Sequence, residues 1–131
     1  MFRAAHLTSA VAAFVCLLVL APVVLGGAFV APEELQAGDR CTGRTVFAGS
    51  DVDTFDLVIL GVIHATSPGG DVILARAEDE RLEQTGILQG MSGSPVYRDG
   101  RLLGAVAGTW PFAEEPIAAI TPITAKMAGT R

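Results

Sequence analysis

Gly90-Met91-Ser92-Gly93-Ser94-Pro95 runs directly into Val96-Tyr97-Arg98-Asp99-Gly100-Arg101-Leu102-Leu103-Gly104-Ala105-Val106, and this junction decides the fold. Glycine has no Cβ, so Gly90 and Gly93 are expected to take positive φ and turn the chain sharply around the serine between them. Such a turn pushes a serine oxygen outward and aims nearby backbone N–H groups at one point, the geometry that stabilises an oxyanion. Ser92 is the serine gripped between the glycines, whereas Ser94 is expected to bond locally within the turn. A Gly-x-Ser-x-Gly elbow does not fit, because it needs glycine where Ser94 stands. Behind the turn, Asp99-Gly100 is a hairpin signal between two apolar runs, so 94–97 and 102–108 are expected to pair.

Strand signals extend on both sides of this junction. Downstream, the aromatic loop Trp110-Pro111-Phe112 is closed by Glu114-Glu115-Pro116. A last strand over 117–121 follows, and Pro122 opens a short terminal helix through Met127. Upstream, 42–47 and 53–63 read as strands. In the second, Phe55, Leu57, Ile59 and Gly61 alternate with Asp56, Val58, Leu60 and Val62, a pattern that enters from the surface and ends buried. Ser67-Pro68-Gly69-Gly70 marks a turn into a strand over 71–77, which makes an antiparallel hairpin with its predecessor. The charged run 78–83 reads as a solvated loop or helical turn; Arg81 is interleaved with its carboxylates and no histidine sits at ligand spacing, so no metal is expected. Residues 30–36 contain one helical turn with Pro32 at its first position. Frequent turns and dominant strands make the fold mostly β and antiparallel, part of a barrel.

The first 28 residues are of another kind. An apolar run from Ala10 to Val24, with Arg3 and His6 before it and Gly26-Gly27-Ala28 after it, has the order of a secretory signal peptide. The other reading is an uncleaved anchor, the one route by which the chain would meet a membrane. Cys16 lacks the small-residue context of a lipidation site. Export places the protein outside the cell or in the periplasm or envelope. The whole chain carries a formal charge of −5. The segment to Ala28 contributes a single cation, Arg3, and no acid, so the remainder is more acidic still and a poor partner for nucleic acid. Arg98 and Arg101 are expected at a solvated hairpin end. Cys41 has no cysteine partner beyond the leader and reads as a small buried hydrophobe.

Together, the GMSGSP turn with Val96-Tyr97, the DGRLLGAVAG hairpin, the Trp110-Pro111-Phe112 loop and the EPIAAITPI segment resemble the SpoIVB peptidase family. That family belongs to the trypsin-like serine peptidase clan. The upstream stretch GDRCTGRTVFAGSDVDTFDLVILGVI is similar to the start of such domains, so the resemblance runs from about Pro32 to about Met127. It implies a partial trypsin-like barrel over 32–131, a short or truncated member of the family, acting on peptide or protein substrates without a cofactor.

The resemblance also implies roles. Ser92 stands at the nucleophile position, and the backbone N–H groups of Gly90 and Ser92 are the oxyanion donors. A serine needs a base and a group that orients the base. His64 is the one histidine after the leader; it precedes the serine in trypsin-like order, with Asp71 or Asp79 between them. The family's catalytic histidine sits in a Gly-His context, whereas His64 is flanked by Ile63 and Ala65. In two-barrel peptidases base and nucleophile come from different barrels, which together need on the order of 200 residues. Two functions therefore stand open. One is a secreted serine peptidase using Ser92, His64 and Asp71; the other is an inactive family-derived domain that binds peptides or serves as a structural module.

Overall fold

The computed structural model describes residues 28–65, 70–87 and 89–128. The leader read over 1–28 falls outside them except for Ala28, so neither its cleavage nor its use as an anchor is visible. Six strands form the domain: β1 (Arg40–Val46), β2 (Val52–Ile63), β3 (Val72–Glu78), β4 (Pro95–Arg98), β5 (Arg101–Thr109) and β6 (Ile117–Pro122). They pair antiparallel in the order β1-β2-β3-β6-β5-β4, and β4 returns to β1. The mostly β, antiparallel barrel expected from the sequence is present. It goes further than a partial barrel, because the strands close on one another through a short β1–β4 seam. A helix, α1 (Glu80–Thr85), follows β3, and a second, α2 (Ile123–Ala128), follows β6.

Alternation fills the interior. Phe55, Leu57 and Ile59 of β2 meet Ile73, Ala75 and Ala77 of β3, Val96 of β4, Leu103 and Val106 of β5, and Ala118 and Ile120 of β6, all buried. Each large side chain removed from water contributes about 1.5–3 kcal/mol. Cys41 joins them at 4 % exposure, and burial pushes its thiol up to about 11, as befits an inert core residue. Gly43 lies under the Phe55 ring with no room for a Cβ. Likewise Gly104 of β5 faces the Thr121 carbonyl of β6 so closely that a Cβ would collide with it.

The far end of β2 differs from expectation. The ladder to β3 slips between Ile59 and Gly61, and beyond this bulge the alternation shifts by one residue, so Val62 packs on the core and Ile63 emerges exposed instead of buried. Arg98 and Arg101 are also more than a solvated hairpin end. Arg98 donates to the Glu34 carbonyl and pairs with Asp39, while Arg101 pairs with Glu34 and donates to the Phe29 carbonyl. The Val30 N–H donates to the Leu102 carbonyl and the Leu102 N–H to the Ala28 carbonyl, a short parallel bridge of Phe29 to Leu102. With Val30 fully buried, these contacts fasten 28–34 to the start of β5.

A third clamp is centred on Arg81 of α1. Asp79 caps the helix by accepting the Arg81 N–H, and the guanidinium of Arg81 grips both oxygens of Asp79. The same guanidinium reaches Asp53 and the Thr54 carbonyl and lies 3.8 Å over the Phe47 ring. The charged run is therefore a short helix stapled to the hairpin of β1 and β2.

Candidate active site

The Ser92 turn is built by its neighbours. A single 3₁₀ turn, Gln89–Met91, ends with the Met91 side chain buried in the core. Gly93 then takes φ +89°, the left-handed region that glycine enters at little cost, and reverses the chain. Its N–H donates to the Val106 carbonyl at 2.7 Å, and the Val106 N–H donates to the Ser94 carbonyl at 2.9 Å. The Ser94 N–H closes back onto Met91 at 3.0 Å. Gly90 departs from expectation: it sits in the 3₁₀ turn without positive φ, and open space surrounds the place of a Cβ. One left-handed glycine is enough, because the buried Met91 already fixes how the chain enters.

Ser94 also departs from expectation. Its hydroxyl does not bond within the turn but donates to the Thr45 hydroxyl of β1 at 2.9 Å, and both residues are buried. The bond crosses the seam where the barrel closes. There β1 and β4 pair only at Thr42 with Tyr97 and Gly43 with Val96. The next position opposes Pro95 to Arg44, and proline brings no N–H to a ladder. Pairing stops, and the edge of β1 from Arg44 to Val46 separates into a groove of about 490 Å³. Ser92, Gly93, Ser94 and Pro95 form one wall; Arg44, Thr45, Val46 and Val52 form the other.

Ser92 is exposed in this groove, and its hydroxyl donates to the Ala107 carbonyl at 3.2 Å. His64 and Asp71 do meet each other. They close the hairpin of β2 and β3, with Nδ1 of His64 3.0 Å from an Asp71 carboxylate oxygen and His64 itself largely exposed. Neither lines the Ser92 groove. Val52, on the groove wall, begins β2 and Ile63, next to His64, ends it. Round the other side of the barrel, Ala107 of β5 accepts the Ser92 hydroxyl, and the ladders from Val106 to Ile120, Ile73 and Val62 lead back to the end of β2 that precedes His64. Asp79, the other candidate orienter, is held by Arg81. The structure thus leaves the histidine–aspartate pair outside the set of residues that line the serine groove.

Two residues of the groove escaped the sequence reading. Thr45 is the polar member of an inward-facing alternation with Cys41 and Gly43, a legible signal of a buried hydrogen bond. Arg44 carried no local signal, since its position on the groove depends on where pairing with β4 ends.

No curated protein matches the sequence significantly. Among solved structures, the chain is similar to the inactive form of the Rv3671c protease, with 20% identity and a TM-score of 0.55. The match covers 82% of this chain and 55% of that one. A mutant of Rv3671c from M. tuberculosis H37Rv, also in an inactive form, matches with 20% identity and a TM-score of 0.54, over 84% of this chain and 58% of that one. The chain spans little more than half the length of these proteases, and the likeness is one of fold. The family model described as SpoIVB peptidase S55 matches residues 29–120, from the bridge onto β5 to the end of the barrel core. With a serine peptidase-like barrel and the serine turn inside that span, this chain belongs to the SpoIVB peptidase S55 family.

Proposed function

We propose that this chain is the nucleophile-bearing barrel of an exported serine peptidase that cleaves peptide bonds through Ser92. The observation that carries the reading is the exposed Ser92 hydroxyl on the left-handed Gly93 turn, at the wall of an open groove. In the reaction the Ser92 oxygen attacks the scissile carbonyl carbon while a base takes its proton. The oxyanion is held by the Gly90 and Ser92 N–H groups. The proton then passes to the leaving amine, the C–N bond breaks, and water hydrolyses the acyl-enzyme by the same route in reverse order. With His64 and Asp71 off the groove, the base is supplied from outside the groove residues, as in two-barrel relatives of the clan.

A second reading is favoured by the lack of any histidine among the groove-lining residues. On that reading the domain binds extended peptides without cleaving them, the unpaired edge of β1 offering backbone groups to an added strand. Labelling with a fluorophosphonate probe separates the two. Covalent labelling of the wild-type chain that disappears in Ser92→Ala supports the peptidase reading. Absence of Ser92-dependent labelling removes it and leaves the peptide-binding module.

A further inference from the structure

In an acidic chain, arginines are expected to find carboxylates, and among the described residues five of six do. Arg40 pairs with Glu78, Arg76 with Glu78 and Glu115, Arg81 with Asp53 and Asp79, Arg98 with Asp39, and Arg101 with Glu34. Arg44 is the exception, and it is the one that lines the Ser92 groove. Its guanidinium lies 5.3 Å from the centre of the Tyr97 ring, also a groove residue, and is exposed. An aromatic face steadies a guanidinium plane by cation–π attraction and leaves its N–H edges free. No groove-lining residue carries a carboxylate to occupy those edges. Asp56 and Asp99 line the neighbouring groove, which Arg44 and Tyr97 also border, yet neither forms an ion pair with Arg44.

We infer that Arg44 is a specificity-determining residue, selecting peptides that place an aspartate or glutamate side chain in the groove beside Ser92. The chemistry is the fork-shaped donor set of arginine, which matches a carboxylate with two parallel hydrogen bonds and leaves an amide isostere poorly served. The inference rests on the groove being the peptide site, whether Ser92 cleaves or only neighbours the bound chain.

Binding of matched short peptides to the full chain, differing only as glutamate, glutamine or lysine at one position, tests it by calorimetry at low and moderate salt. A charge-assisted pair gives glutamate peptides about tenfold tighter binding than glutamine peptides. That ratio shrinks as salt rises, as expected of an exposed pair. Arg44→Gln brings the ratio to about one and Arg44→Lys retains part of it. Arg40→Gln, on the neighbouring groove, keeps it. Equal binding of glutamate and glutamine peptides, or a preference that survives Arg44→Gln, overturns the inference, as does its equal loss in Arg40→Gln. Fluorophosphonate labelling of Ser92 in the same samples keeps the two readings apart. Labelling without acidic preference sinks the Arg44 inference alone, and acidic preference without labelling sinks only the peptidase reading. Failure of every peptide to bind and of the probe to label overturns both.

Discussion

A buried hydroxyl pair holds the serine turn to the rest of the barrel. Ser94 and Thr45 are buried and are each other's polar partners, and no buried side-chain polar atom among the described residues lacks a partner. Removing one member strands the other. Thr45→Val keeps the shape but leaves the Ser94 hydroxyl without its acceptor, and Ser94→Ala does the converse to Thr45. Each is expected to cost about 1–3 kcal/mol, the range for a buried polar group left unsatisfied. The double variant is expected to cost clearly less than the sum, because it removes both desolvated groups together. Urea unfolding of the four proteins checks this; additive losses would mean that the hydroxyls do not depend on each other. At this scale the sequence was half legible. The Gly93 turn and the outward Ser92 follow from local chemistry, since the glycine between two serines has few other uses. The partner of Ser94 lies on another strand and depends on barrel closure, which local sequence does not encode.

Elements are joined here by arginine clamps as well as by ladders. The hydrogen bonds from Arg81 hold the Asp79 carboxyl below its ordinary range, and the same side chain, with the Thr54 N–H, lowers Asp53. A carboxyl lowered in the folded state stabilises the fold above the ordinary carboxylate range, about pH 4, and that contribution drains away as pH falls through the depressed values. Arg81→Gln removes the cause. The stability gap between wild type and Arg81→Gln is therefore expected to be widest at pH 7 and to narrow between pH 4 and pH 2. Urea midpoints at these pH values measure it, and a gap that does not change with pH would show that Arg81 acts only by stacking on Phe47. Element positions were largely readable: all six strands follow from alternation and turn chemistry, whereas the charged run after β3 read as either a solvated loop or a helical turn, and its capping aspartate shows only in the structure. The end of β2 was misread because a one-residue slip at Gly61 reverses which side chains face inward, and a run that is apolar on both faces hides that slip.

For the molecule as a whole, barrel closure decides which reactive groups can meet. The histidine–aspartate pair at the junction of β2 and β3 resembles a catalytic base and its orienter, with Nδ1 of a largely exposed imidazole on a carboxylate. Sequence order alone makes it attractive, since histidine, aspartate and serine occur as they do in trypsin-like enzymes. In the closed barrel neither member of the pair is among the residues that line the serine groove. The pair instead closes the hairpin tip, as an exposed contact whose loss costs the fold little. His64→Ala and Asp71→Asn are expected to leave the thermal midpoint within a few degrees of wild type. They are also expected to change the rate of Ser92 labelling by less than about twofold, whatever that rate is. Labelling that falls tenfold or more in His64→Ala, with the fold intact by circular dichroism, would show that the imidazole reaches Ser92 and would return the base to this barrel. The two measurements must be made together, because a loosened hairpin slows labelling by deforming the barrel, whereas a missing base slows it in an unaltered one.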